Sequence, residues 1–197
     1  MEQICAERKR LKHRAAYRRT LMGTVEILLL AAAAAVLIST LLMPVLQITG
    51  ESMEPTLKNG NIVLLLKTRQ FQTGDICAFT WNNRTLVKRV IGVAGDWIEI
   101  DPQGAVYVNG HELEEPYVTG KSLGECDLSF PYQVPDGCLF LMGDHRETSI
   151  DSRNTVIGSV NLQQVIGRVI LRVWPLEQIG CLKCAEVKME QEKINGR

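Results

Sequence analysis

Past residue 50 the sequence has almost no amphipathic stretch of helix length, and over its full length it has no internal repeat and no net charge: 22 Lys and Arg balance 22 Asp and Glu. The missing helical periodicity, relieved only by a weak pattern over 177–193, points away from an α-helical domain. The missing net charge hides an uneven distribution. Residues 1–20 hold seven Lys or Arg and two acids, which leaves 15 bases and 20 acids for the rest. A basic head on a mildly acidic body does not fit a nucleic-acid binder, whose bases line a folded face. With 46% hydrophobic and 22% charged residues, the 197-residue chain is not disordered, collagenous or a coiled coil as a whole. It has room for one ordinary domain and little more.

Charge is absent altogether from Ile27 to Gly50. As a helix from Ile27 to Ile48 this run spans about 33 Å, close to the ~30 Å hydrocarbon core of a bilayer. Arg8, Lys9, Arg10, Lys12, Arg14, Arg18 and Arg19 precede it, and Glu51 and Glu54 follow. The positive-inside rule then places residues 1–20 in the cytoplasm and the remainder outside. A cleaved signal peptide and a buried helix of a soluble domain are the competing readings. The run exceeds the usual apolar core of a signal peptide, about 7–15 residues, and its flanks are those of a span. The expected division is a basic segment 1–20, a signal anchor 21–48, an extracytoplasmic β-rich domain 49–176 and a polar tail 177–197.

Short β-type runs then alternate with turn signals: residues 61–67, 75–81, 85–93, 97–100, 105–110, 138–144 and 164–174. Gly, Asp and Asn separate them, as in Asn82-Asn83, Asn109-Gly110 and Asp136-Gly137. The spacing predicts a mainly β, antiparallel, barrel-like domain. Residues 111–137, rich in Glu, Gly, Pro and Ser, read as an inserted loop or flap. Of six cysteines, Cys5 falls in the basic head and Cys77 in an apolar strand, where a buried thiol is expected. Cys126 and Cys138 are candidates for a disulfide outside the membrane. Cys181 and Cys184 have metal-type spacing but no second pair, so a local disulfide or free thiols is the expectation.

Three clusters carry chemistry. Thr49 to Leu57 hold Ser52 between Gly50, which frees the backbone, and Pro55, which stiffens it. Leu86 to Asp96 hold Lys88 and Arg89 on opposite faces of a strand, each between hydrophobes, so that one of the two is partly desolvated. Desolvation lowers a lysine pKa, whereas arginine keeps its proton, so Lys88 is the candidate base. Leu141 to Arg153 crowd hydroxyls, carboxylates and arginines behind an apolar strand, a composition suited to a hydrogen-bonded positioning loop. The plain alternatives are a linker serine, an edge strand with solvated charges and an ordinary turn.

In order, the strings GESMEPTL (50–57), GDI (74–76), KRVIGVAGD (88–96) and GDHRETSIDSR (143–153) resemble the boxes of bacterial type I signal peptidases, membrane-anchored serine proteases with a Ser/Lys dyad. The resemblance covers roughly residues 20–175. It implies the signal peptidase fold, Ser52 as nucleophile, Lys88 as general base and Ser149 as the serine that orients the lysine. It makes Asp151 and Arg153, with Asp144 and Arg146, the supporting loop, and Met53 a residue that shapes the site. His145 stands where the family usually has Asn, Ala94 where Pro is common, and residues 154–157 lengthen the spacing to Gly158. Gly50 stands where some members carry Ser, which leaves the backbone, chiefly the Ser52 N–H, to form the oxyanion hole. The implied function is removal of signal peptides at the outer face of the membrane without a cofactor. Partners would be preproteins, the lipid bilayer and a secretion translocon, with no nucleic acid. The rival readings are a self-cleaving Ser/Lys repressor, a non-catalytic exported scaffold derived from a peptidase, and a Ser/His/Asp hydrolase built from Ser52, His145 and Asp144 or Asp151.

Overall fold

The computed structural model describes residues 2–182, with side chains described for 17–37 and 43–182. The chain divides after Leu42 into two units. The first is a single helix, α1 (Glu2–Leu42), whose segment Tyr17–Leu37 is long and apolar enough to cross a membrane. Hydropathy alone carries the helix to Ile48. It stops at Leu42 because Pro44 has no N–H to give and biases Met43 away from helical backbone. Residues 45–47 become a strand instead.

The strands of the second unit all pair antiparallel. In chain order its strands are β1 (Val45–Gln47), β2 (Ile62–Leu66), β3 (Ile76–Trp81), β4 (Arg84–Val93), β5 (Trp97–Ile100), β6 (Val106–Val108) and β7 (His111–Glu112). Then follow β8 (Tyr132–Gln133), β9 (Cys138–Met142), β10 (Val160–Asn161), β11 (Val165–Trp174) and β12 (Gly180–Cys181). One sheet runs β1-β2-β11-β3-β4-β9-β10 with β12 alongside β11, and the other runs β7-β6-β5-β8. Every strand foreseen from the turn signals is present within a residue or two. The hairpin turns fit their residues: Asn82 and Asn83 close β3 onto β4 at φ 45 and 58, and Asn109-Gly110 closes β6 onto β7 at φ 54 and 80.

Strand β4 positions the chemistry. It lies between β3 and β9, with Cys77 opposite Lys88 and Met142 opposite Arg89. Because β9 ends at Met142, the loop that follows begins beside Lys88. Flanking strands and three apolar clusters desolvate this part of β4, so both Lys88 and Arg89 are buried, where alternation alone led us to expect one.

Residues 111–137 differ from a flap. Their strands β7 and β8 complete the second sheet, and Leu113 and Val134 are buried in its core with Leu128 and Phe130 packed against it. Apolar residues among the Glu and Pro account for this, since they have a sheet face to bury. Cys126 and Cys138 are free thiols: the Cys126 sulfur lies against the Leu128 carbonyl, while Cys138 packs on the core. Cys77 and Cys181 are also free, and Cys184 lies outside the described residues. The weak helical pattern from Glu177 yields a 3-10 turn, Leu176–Gln178, and then β12 against Leu171 and Arg172. The remainder of the polar tail is outside the described residues.

Gly167 sits in β11 where a Cβ would stand 2.5 Å from the Leu66 carbonyl oxygen and 3.3 Å from Lys67 Cα. Backbone on a paired strand cannot retreat cheaply. Gly167→Ala is therefore expected to destabilise the β domain by about 1–3 kcal/mol, read as a lowered denaturation midpoint of the detergent-solubilised protein.

Candidate active site

Ser52 stands in the turn that links β1 to β2. Gly50 enters it at φ 97, a conformation that disfavours any side chain, and gives its N–H to Asn59 Oδ1 at 3.4 Å. Met53 and Leu57, both buried, pin the turn to the core under β2 and β11. Ser52 itself is half-buried, and its carbonyl accepts the His145 N–H at 3.1 Å. This bond ties the Ser52 turn to the loop after β9. A small cavity beside Ser52 is lined by Ile48, Met53, Leu86 and Val87.

Lys88 Nζ donates to Ser149 Oγ at 2.8 Å in buried surroundings. Gly143 lies against Ser149 and Ser52: a Cβ there would collide with Ser149 Oγ and stand 2.5 Å from the Ser52 carbonyl oxygen. Ser52, Gly143, Ser149 and Lys88 thus converge from three separate parts of the chain. Burial pushes the Lys88 amine down from 10.5 to about 8, with Asp151 and Asp144 pulling up and Arg153 adding to the depression.

Every other buried ion around it is paired. Arg89 holds Asp144 through two bonds, Nε to Oδ1 at 2.8 Å and a second to Oδ2 at 2.6 Å, and also donates to the Gly74 carbonyl. Thr56 donates to the same carboxylate. Arg153 holds Asp151 at 2.8 and 2.9 Å and ties down the carbonyls of Leu123 and Arg146. Asp151 also accepts the Gly143 N–H at 2.9 Å; burial alone would raise its pKa, but Arg153 holds the carboxyl below its ordinary value. Arg146 forks onto Glu115 and donates to the Gly143 carbonyl at 3.1 Å. These fork geometries are what offset the desolvation of buried charges.

Against the Ser/His/Asp reading, His145 Nδ1 meets the Thr148 hydroxyl at 2.7 Å, while Asp144 and Asp151 are engaged by arginines. No carboxylate orients the imidazole among the described residues.

The family model described as "Signal peptidase, peptidase S26" matches residues 21–174. Signal peptidase I of Bacillus caldolyticus is 36% identical over 68% of this chain and 80% of its own length. That of Bacillus licheniformis is 31% identical over 82% and 93%. The chain belongs to the signal peptidase family. A crystal structure of a signal peptidase I from Enterococcus faecalis aligns with 50% of this chain and 96% of its own, at 30% identity and a TM-score of 0.41.

Of the residues that the family boxes single out, Ser52, Lys88 and Ser149 meet around Gly143, Asp144, Arg146, Asp151 and Arg153 brace the loop that carries Ser149, and Gly50 and Met53 belong to the Ser52 turn. Sequence reasoning missed Glu115 and Tyr117, which reach this cluster from the segment read as a flap. Tyr117 covers the Arg89 guanidinium, 3.8 Å from its ring centroid, and donates to Glu115 Oε1 at 3.1 Å. A charge count held a partial signal: the boxes bring three arginines and one lysine to three buried aspartates, of which Asp75 pairs with Arg168 elsewhere. It could not say which acid of the Glu112, Glu114 and Glu115 run makes up the deficit.

A protonated Lys88 destabilises the fold, because its folded pKa lies below its unfolded one. That penalty is full below about pH 8 and fades as pH rises toward 10.5. Lys88→Met is therefore expected to stabilise the protein at pH 7 by about 1–3 kcal/mol, with the gain shrinking above pH 8 in denaturation curves.

Proposed function

We propose that this chain removes signal peptides from exported preproteins, with Ser52 as nucleophile and Lys88 as general base. The observation that carries the reading is a buried lysine, pKa about 8, hydrogen-bonded to Ser149 in the loop that also holds the Ser52 carbonyl. Near neutral pH an appreciable fraction of such an amine is unprotonated.

Neutral Lys88 takes the Ser52 hydroxyl proton as Oγ attacks the scissile carbonyl. The resulting ammonium gives that proton to the leaving amine, and the C–N bond breaks to leave an ester on Ser52. Lys88, neutral again, deprotonates a water that attacks the ester; the acyl C–O bond breaks, Lys88 returns the proton to Ser52 Oγ, and the signal peptide leaves as a carboxylic acid. Ser149 holds the amine in line through both steps, and Asp151 and Arg153 hold Ser149. The N–H of Ser52 is the proposed oxyanion donor, since that of Gly50 is given to Asn59. The cavity lined by Ile48, Met53, Leu86 and Val87 fits the small side chains that precede the cut. The helix α1 anchors the enzyme, its basic end in the cytoplasm and the β domain outside.

Ser52→Ala and Lys88→Ala are expected to abolish cleavage of a purified preprotein, and Lys88→Arg to do the same, because guanidinium holds its proton. Ser149→Ala should lose much of the rate, and His145→Asn should keep most of it. Wild-type activity should rise through about pH 8 as Lys88 loses its proton. Active Lys88→Arg with dead His145→Asn would move the base to histidine.

The topology has its own test. Protease added to intact cells is expected to cut at exposed Lys121 and spare residues 1–20; a protected Lys121 with a cleaved N-terminus would reverse the orientation.

A further inference from the structure

We infer that Glu115 and Tyr117 form a positioning clasp that holds Lys88 and Ser149 in working register by gripping Arg89 and Arg146 together. The inference rests on the proposed role of Lys88. Neither residue hydrogen-bonds to Ser52, Lys88 or Ser149; Tyr117 acts on Arg89, the chain neighbour of Lys88, and Glu115 acts on Arg146, which holds the Gly143 carbonyl beside Ser149 and Ser52.

Arg89 follows Lys88 on β4. One edge of its guanidinium is held by Asp144 at the start of the positioning loop, and its face is covered by the Tyr117 ring at 3.8 Å. Arg146 lies within that loop and grips the Gly143 carbonyl, and Gly143 is the residue wedged between Ser149 Oγ and the Ser52 carbonyl. Its charge is answered by Glu115, which lies outside the loop, 31 positions earlier in the chain. Burial opposes the Arg146 charge, but the Glu115 bond and charge outweigh it and raise its pKa above the ordinary value. The Tyr117 hydroxyl, donating to Glu115 Oε1 at 3.1 Å, joins the two grips into one unit. Burial raises the Tyr117 pKa, so the hydroxyl remains a donor throughout the working range.

The geometry distinguishes this pair from the other supports. The Asp151 and Arg153 pair is internal to the loop and shapes it. The clasp links Arg146, the loop's first arginine, to the Arg89 guanidinium on the strand that carries the lysine, in addition to the direct fork of Arg89 onto Asp144. Loosening it lets the loop drift from β4. Lys88 then gains water and its amine becomes easier to protonate. The charged groups acting on Lys88 are Asp151, Asp144 and Arg153 from the loop, and Arg89 follows it on its own strand. Cys77, opposite on β3, is neutral because burial raises its pKa.

The test is steady-state cleavage of one preprotein by the full-length enzyme in detergent, from pH 6.5 to 10. Tyr117→Phe keeps the ring over Arg89 and removes only the tether. It should lower kcat on the order of 10-fold, leave KM unchanged, and move the alkaline midpoint upward by about half a pH unit. Glu115→Gln, which keeps an acceptor but removes the charge, should do more of the same. If Glu115→Gln does not fold, Tyr117→Phe decides alone. A folded Tyr117→Phe with wild-type kcat and midpoint, or activity lost only in proportion to folded protein, overturns the clasp. A wild-type profile with no midpoint near pH 8 would instead overturn the lysine base itself.

Discussion

Lys88 is a buried amine for which the fold provides a hydroxyl partner and, among the described residues, no ion pair. Much of the surrounding architecture answers the problem this creates. A carboxylate placed directly on the amine would hold the proton and return the pKa to the ordinary lysine range. The aspartates needed to build the loop are instead committed, each forked onto an arginine. Their residual pull on Lys88 is opposed by burial, and burial prevails.

This arrangement explains why so many arginines lie in the core of a small β domain. Arg89, Arg146 and Arg153 are almost fully buried. Each uses its several donors to fix carbonyls as well as a carboxylate, which a lysine with its compact head could not do in the same geometry. The carbonyls fixed are those of Gly74, Gly143, Leu123 and Arg146, so the arginines brace the loop internally and tie it to the segment at Leu123, with which it shares no strand pairing. Breaking one member of such a pair leaves an uncompensated buried charge, at about 3–5 kcal/mol. The β domain therefore has a polar second core under its candidate site, beside the three apolar ones.

That polar core also gives the second sheet a reason to exist. Strands β5 to β8 bury Ile98, Val106, Leu113 and Val134 on one side and deliver Glu115 and Tyr117 to the loop on the other. In the proposed mechanism the first sheet carries the reacting groups, and the second holds them still.

The sequence by itself determined the apolar helix, the β strands and their turns, and the boxes that mark the family, because each is a local pattern. Hydropathy, alternation and an Asn-Gly or Asn-Asn turn are written within a few neighbouring residues. It could also say that a lysine flanked by hydrophobes is the group to watch. Only the tertiary structure decided that both cations of β4 are buried, since that depends on β3, β9 and the packed clusters around them. Pro44 ends the helix locally, but only the tertiary structure made the next residues β1, a strand that exists because β2 is there to pair with it. Only it chose Glu115 from three nearby glutamates and set Tyr117 over Arg89. Charge compensation is a requirement the sequence states as a deficit, but the partner is chosen by which carboxylate the fold brings within hydrogen-bonding distance, across gaps no local pattern spans.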